Sequence, residues 1–214
     1  ANPKKYLESY VKTYLQEEVQ QEGLTRNLGA FYRFLESASF SQGSVLNVSE
    51  ISRECAIERK VVENYFTILE DLLLGWKLPV FTKRAKRRMV AHPKFYFFDV
   101  GVYRTIRPAG PLDRPEEIEG MIYESLFIQE VKALNHYYDL GYDLYYWRTV
   151  NQQEVDLVLY GPLGIKAFEI KRSGHVGSGD LSGLKSFKKD YPEAELYFLY
   201  GGSREMEIDG IRVL

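Results

Sequence analysis

Only one cysteine, Cys55, stands in the 214 residues. This excludes an internal disulfide and a cysteine-ligated zinc site, and a reducing cytoplasm is the compartment such a chain is expected to occupy. Histidine is almost as scarce: His92, His136 and His175 lie far apart and share no ligand spacing. No uninterrupted apolar run of about 18 residues occurs, so no membrane span and no membrane partner are expected. The opening Ala1-Asn2-Pro3-Lys4-Lys5 lacks the apolar core of a signal peptide. It also lacks an initiator Met, which is expected of a piece of a longer chain. No Gly-x-x-x-x-Gly-Lys-Ser/Thr run exists, so these residues carry no ATP site. Gly177-Ser178-Gly179 reads as a flexible loop, because no Lys-Ser/Thr pair follows it.

What is present supports a folded core. Hydrophobic residues make up 45% of the chain and aromatics 14%, with 17 tyrosines that can pack a ring while keeping the hydroxyl wet. The net charge of -2 is unevenly spread: residues 1–110 hold 17 Lys+Arg against 12 Asp+Glu, the remainder 11 against 18. Such asymmetry suggests two units with different tasks.

The first unit reads as helical. Tyr6, Leu7, Tyr10, Val11, Tyr14 and Leu15 form one apolar stripe at three- and four-residue spacing, and Gly23 is a stop signal. A second helix is expected over 27–36. Asn47 can cap a third, with Glu50 reaching back to it. After a turn at Cys55-Ala56-Ile57, a further helix is expected over 58–74, with Gly75 as its C-cap. Two helices joined by a tight turn are the pattern of a helix-turn-helix. Strands over 76–81 and 95–98 then flank a basic hairpin tip, Lys83, Arg84, Lys86, Arg87 and Arg88. Helix-turn-helix plus hairpin is the winged-helix arrangement, and the five basic residues are its candidate nucleic-acid contacts. The presumed recognition helix is poorer for phosphates, since Glu58, Glu63, Glu70 and Asp71 oppose Arg59 and Lys60. The expected organisation is a helical and winged-helix domain over 1–106, a proline-rich linker over 107–117, and an α/β domain over 118–214.

In the second unit a helix is expected over 119–137, and an aromatic strand over 143–150. Residues 154–160 alternate, with Val155, Leu157 and Leu159 on one face and Glu154, Asp156 and Val158 on the other. Gly161-Pro162-Leu163-Gly164 is a turn, 165–171 a strand, 182–189 a helix and 195–200 a final strand. Glu169 and Lys171, two apart on a strand, face the same side. If their strand pairs with the preceding one across the turn, Asp156 lies beside Glu169. Two carboxylates and an ammonium then meet. Asp156 and Glu169 suit Mg²⁺ or Mn²⁺, hard ions held by one or two carboxylates plus waters and substrate phosphate. Lys171 can stabilise developing negative charge or help orient a water. The other account is a charge cluster satisfied as ion pairs, with Lys171 bridging the two acids.

Glu154-Val155-Asp156 followed by Phe168-Glu169-Ile170-Lys171-Arg172-Ser173 resembles the PD-(D/E)XK (restriction-endonuclease-like) nuclease motif. Glu124, in Gly120-Met121-Ile122-Tyr123-Glu124-Ser125, matches the acid those nucleases often place on the preceding helix. Nearly the whole chain resembles the C-terminal half of certain bacterial and archaeal AAA-type ATPases. Tyr146-Trp147-Arg148-Thr149 and Lys94-Phe95-Tyr96-Phe97-Phe98-Asp99-Val100-Gly101 add to that likeness. The resemblance implies an α+β or α/β chain with Glu124, Asp156, Glu169 and Lys171 as catalytic set. It implies a metal-dependent nuclease-like domain acting on nucleic-acid phosphodiesters, DNA or RNA, with DNA and an N-terminal ATPase domain absent from these residues as the expected partners. The alternative it leaves is an inactive DNA-binding or protein-docking regulatory module of an ATPase.

Overall fold

The structure, a computed structural model, describes residues 3–14, 17, 19, 27–111, 113–177 and 179–214. It divides into two compact units: 1–77 with 94–113, and 78–93 with 114–214.

The first unit opens on helix α1 (Pro3–Ser9), followed by a π-helical turn (Tyr10–Tyr14). Leu15 and Gly23 of the expected stripe and stop lie outside the described residues. Helix α2 (Leu28–Ser39) starts at Asn27, whose side chain accepts the Ala30 N–H at 3.0 Å. Strand β1 (Ser44–Val45) leads to α3 (Val48–Cys55). Here the Asn47–Glu50 pairing is as the spacing predicts: Asn47 accepts the Glu50 N–H at 3.2 Å, and its amide donates to Glu50 Oε2 at 3.0 Å. Ala56 closes α3 in the left-handed region (φ 53), giving the expected tight turn into α4 (Arg59–Asp71).

The end of α4 differs from expectation. Leu73, not Gly75, takes the positive φ of 57. Gly75 instead begins β2 (Gly75–Leu78), where a Cβ would stand 2.7 Å from the Phe95 ring. Strand β3 (Lys94–Phe97) completes a three-stranded sheet in the order β1-β3-β2. Edge-to-face rings build the core between helices and sheet: Phe31 on Tyr65, Phe34 on Phe66, and Phe66 on Phe95.

Helix α5 (Val100–Ile106) has no counterpart in the sequence reading, although Asp99 carries the signal: its carboxylate accepts the Val102 N–H at 2.8 Å. The expected linker is shorter than 107–117. Arg107 and Asp113 fold back as a partly buried ion pair at 2.7 Å, and Pro115 is the first residue of the next helix, where a missing N–H costs nothing. The Arg107 hydrogen bond, joined by the Gly110 N–H, lowers the Asp113 pKa to about 2. A depressed carboxylate pKa contributes stability above its unfolded value and loses it as pH falls through the folded one. Wild type is therefore expected to unfold at higher temperature than Asp113→Asn at neutral pH. The gap should close between about pH 4 and pH 2, and a gap that persists at the acid end would refute the pairing.

The second unit carries α6 (Pro115–Tyr137), β4 (Asp143–Arg148), β5 (Glu154–Gly161), β6 (Gly164–Lys171), α7 (Ser182–Asp190), β7 (Glu195–Tyr200), β8 (Met206–Ile208) and β9 (Ile211–Val213). Its mixed sheet runs β4-β5-β6-β7-β9-β8, antiparallel from β4 to β6 and parallel at β6–β7 and β7–β9. The β8–β9 hairpin makes β7 an interior strand rather than the final one. Its signal is Asp209-Gly210 between Ile208 and Ile211, and both turn residues have positive φ. Phe187, Leu184 and Trp147 pack with Val155, Val158 and Phe198 in the main core. On the other side Phe127 of α6 meets Phe168, which stacks on Tyr197. Strands covered on both faces lose simple alternation, as β5 does.

Candidate functional site

The site is built at an irregularity in β5. Tyr145 pairs with Val158 but Trp147 pairs with Val155, so Asp156 and Leu157 together oppose the single residue Tyr146. This is a β-bulge, which re-aims side chains and bends the strand. It overturns the expected alternation: Val155 and Val158 share the core face instead of lying on opposite faces. The bulge also releases Asp156 from ordinary cross-strand packing. Its Oδ2 accepts the Ile170 N–H of β6 at 2.8 Å, so a main-chain donor is satisfied by a buried carboxylate.

Glu169 and Lys171 project together from β6, as two-residue spacing requires. Asp156 and Glu169 are 6% and 8% exposed, deep for carboxylates. Lys171 Nζ lies 2.7 Å from Glu169 Oε1 and keeps a partly exposed ammonium. Desolvation acts to lower the Lys171 pKa. The charges of Asp156 and Glu169, the Glu169 hydrogen bond and the charge of Glu124 outweigh it and raise the pKa above the usual lysine value. Lys171 is therefore a fixed cation, suited to stabilising negative charge and unsuited to accepting a proton at neutral pH. The structure thus brings Asp156, Glu169 and Lys171 together, with half-buried Glu124 close enough to act on Lys171 electrostatically. Among the described residues, no group of three or more His, Cys, Asp or Glu is placed to share an ion. The carboxylates available to hold a hard divalent ion are those of Asp156 and Glu169, the kind of oxygen donors such an ion takes with waters.

Sequence reading missed Gly183, which closes the site from α7. A Cβ there would stand 1.9 Å from the Glu154 carbonyl oxygen and 3.6 Å from Glu169 Oε2. Only glycine lets the first turn of α7 lie on β5 beside Glu169. Gly183→Ala is expected to destabilise the chain by about 1–3 kcal/mol, read as a lower urea midpoint; an unchanged midpoint would show that α7 shifts without cost.

The basic segment is placed differently from the expected wing tip. Phe81, just before it, is 1% exposed and packs on Tyr145, Tyr160, Phe187 and Tyr191. Backbone hydrogen bonds then tie the strap to the free edge of β4: Phe81 N–H to Tyr146, Val90 N–H to Arg148 and Val150 N–H to Arg88. Two of the five cations are engaged. Lys83 sits over the Tyr160 ring and pairs with Asp143 at 3.3 Å. Arg87 pairs with Asp190 at 2.7 Å and donates to the Ser186 hydroxyl and carbonyl. Arg84, Lys86 and Arg88 are exposed.

Residues 1–113 match the family described as Domain of unknown function (DUF8612). The chain belongs to that family. Residues 119–214 match a second description, Domain of unknown function (DUF4143). An uncharacterized protein of Mycobacterium tuberculosis and one of Mycobacterium bovis are each 24% identical over 206 residues, covering 94% of this chain and 45% of theirs. The chain therefore spans less than half the length of these relatives.

In this DUF8612 chain the end of the first match, at 113, coincides with the last residue of the first compact unit. The strap does not follow that division. Residues 78–93 lie within the DUF8612 match yet fold with the unit that the DUF4143 match covers. Burial of Phe81 supplies the reason.

Proposed function

We propose that residues 114–214, completed by 78–93, are a metal-dependent nuclease-like unit of the PD-(D/E)XK kind, acting on nucleic-acid phosphodiesters. The observation that carries this reading is the convergence of buried Asp156 and Glu169 on Lys171 at a β-bulge. The element order α6-β4-β5-β6-α7-β7, with β6 and β7 parallel, supports it, as does the motif resemblance. Asp156 and Glu169 would hold Mg²⁺ or Mn²⁺, which when bound polarises a phosphoryl oxygen and acidifies a bound water. Lys171 places a permanent positive charge beside the phosphoryl group as negative charge develops. Glu124 helps keep that lysine charged. Asp156 holds β5 to β6 through the Ile170 N–H.

In the first unit, α2, β1, α3, α4, β2 and β3 follow one another in winged-helix order, with sheet order β1-β3-β2. We read it as a winged helix serving as a DNA-binding or docking module. Domains of the DUF4143 kind are common in AAA-ATPase-associated proteins, so an ATPase region of the longer protein is the proposed partner. One feature favours the alternative, a regulatory module with a vestigial site: the 2.7 Å Lys171–Glu169 pair already neutralises one carboxylate.

Incubation of the chain with plasmid and single-stranded DNA, with Mg²⁺ or Mn²⁺ and beside Asp156→Ala, tests the reading. Cleavage by wild type alone supports a working nuclease. Equal cleavage by a clean Asp156→Ala preparation sinks it, and no cleavage by either moves the assignment to the docking module.

A further inference from the structure

The strap over 83–88 carries five basic residues out of six in a unit otherwise rich in acid. Its engaged and exposed cations divide cleanly. Lys83 and Arg87 clasp Asp143, Asp190 and Ser186 and so fix the strap's path. Arg84, Lys86 and Arg88 are exposed, and among the described residues no ion pair engages them. A strap whose path is fixed by two cations and which leaves three others in water has the layout of a polyanion track, since a packing role would be met by the first two alone.

The track also has a defined distance from the carboxylates. The Arg88 carbonyl accepts the Val150 N–H just beyond the end of β4, and β4 is followed across the sheet by β5 with Asp156 and β6 with Glu169 and Lys171. With neighbouring strands about 4.8 Å apart, the strap residues hydrogen-bonded along that edge are roughly 10 Å from β5 and about 14 Å from β6, counted across the sheet alone. At about 3.4 Å rise per nucleotide, a track crossing the sheet must span at least three to four nucleotides along one strand to reach the carboxylates. We infer that Arg84, Lys86 and Arg88 hold the phosphate backbone of a duplex nucleic acid and set the register at which it crosses the carboxylate site. This deepens the nuclease reading and rests on it for the register. The net acidity of 111–214 makes such a local track necessary, because the wider field repels a polyanion.

Labelled duplex DNA, its single strands and an RNA duplex of the same sequence are titrated with the whole 214-residue chain across a salt series. Divalent metal is left out so that nothing is cut. Wild type is compared with the triple variant Arg84→Ala, Lys86→Ala, Arg88→Ala, and with a control triple of exposed cations of the second unit off the strap, Arg114→Ala, Arg204→Ala, Arg212→Ala. Each phosphate that a removed cation no longer neutralises flattens the plot of log affinity against log salt by about 0.9 on duplex DNA. The strap variant is expected to flatten it by about two to three units and the control not at all. A retained slope in the strap variant, an equal flattening in the control, or no binding by wild type overturns the inference. Cleavage is scored separately with Mn²⁺. A parent that binds through the strap and cuts nothing removes the nuclease reading while the strap stands. A parent that cuts, with a strap variant that binds and cuts equally well, removes the strap.

Discussion

Phe81→Ala is expected to cost about 3–5 kcal/mol, the range for emptying a fully buried aromatic site, and to cost it in the unit that the position of Phe81 in the chain does not suggest. Phe81 follows β2 of the first unit by only a few residues. Yet its ring lies 5.1 Å from Tyr191, 5.3 Å from Tyr145 and 5.7 Å from Tyr160, all in the second unit's core. Truncation removes this packing and leaves a cavity beside Phe187 and Trp147. It also loosens the strap at the point where its backbone joins the free edge of β4, exposing that edge. Hydrogen exchange separates the outcomes. Amides of β4 and β5 should lose protection while those of α2 and α4 keep theirs. Loss confined to α2 and α4, or an unchanged urea midpoint, would refute the placement of the strap.

That placement marks where the sequence stopped being readable. Local chemistry was legible. Asn47 with Glu50 signalled a cap, Glu169 with Lys171 signalled a shared strand face, and Gly161 to Gly164 signalled the turn that brings β5 against β6. Each of these is decided within a few residues. The strap is decided by Phe81 finding a core assembled from residues 60 to 110 positions away, and no local pattern encodes that. The bulge at Asp156 is a second case. The alternation of 154–160 predicts a regular strand, and only the unequal pairing with Tyr145 and Trp147 displaces it. Helix α6 is a third: the helix itself is as expected over 119–137, but its apolar positions Leu126 and Leu134 are exposed, and among its residues Ser125 and Ile128 are the buried ones. Two features were legible and passed over, the Asp99 cap of α5 and the Asp209-Gly210 hairpin.

Asp156→Asn is expected to abolish metal-dependent cleavage while leaving the fold intact, and comparison with Asp156→Ala shows why both are needed. The Asp156 carboxylate has two tasks at once. It accepts the Ile170 N–H at 2.8 Å, and it contributes one of the two buried charges beside Lys171. Alanine removes both, and an unsatisfied buried N–H alone costs about 1–3 kcal/mol; lost activity in Asp156→Ala could therefore follow from lost structure. Asparagine keeps an oxygen for Ile170 and removes only the charge. If the charge carries the chemistry, Asp156→Asn unfolds near the wild-type midpoint yet falls below detectable cleavage with Mg²⁺ or Mn²⁺. Removing that charge also withdraws the leading influence raising the Lys171 pKa, so the lysine should titrate at lower pH than in wild type, a shift that NMR of the Nζ group can follow. Asp156→Asn that cuts as wild type does would leave Asp156 a strand tie and nothing more. Asp156→Asn that is folded and inactive, with the lysine pKa lowered, would place the two carboxylates and Lys171 in one functional unit.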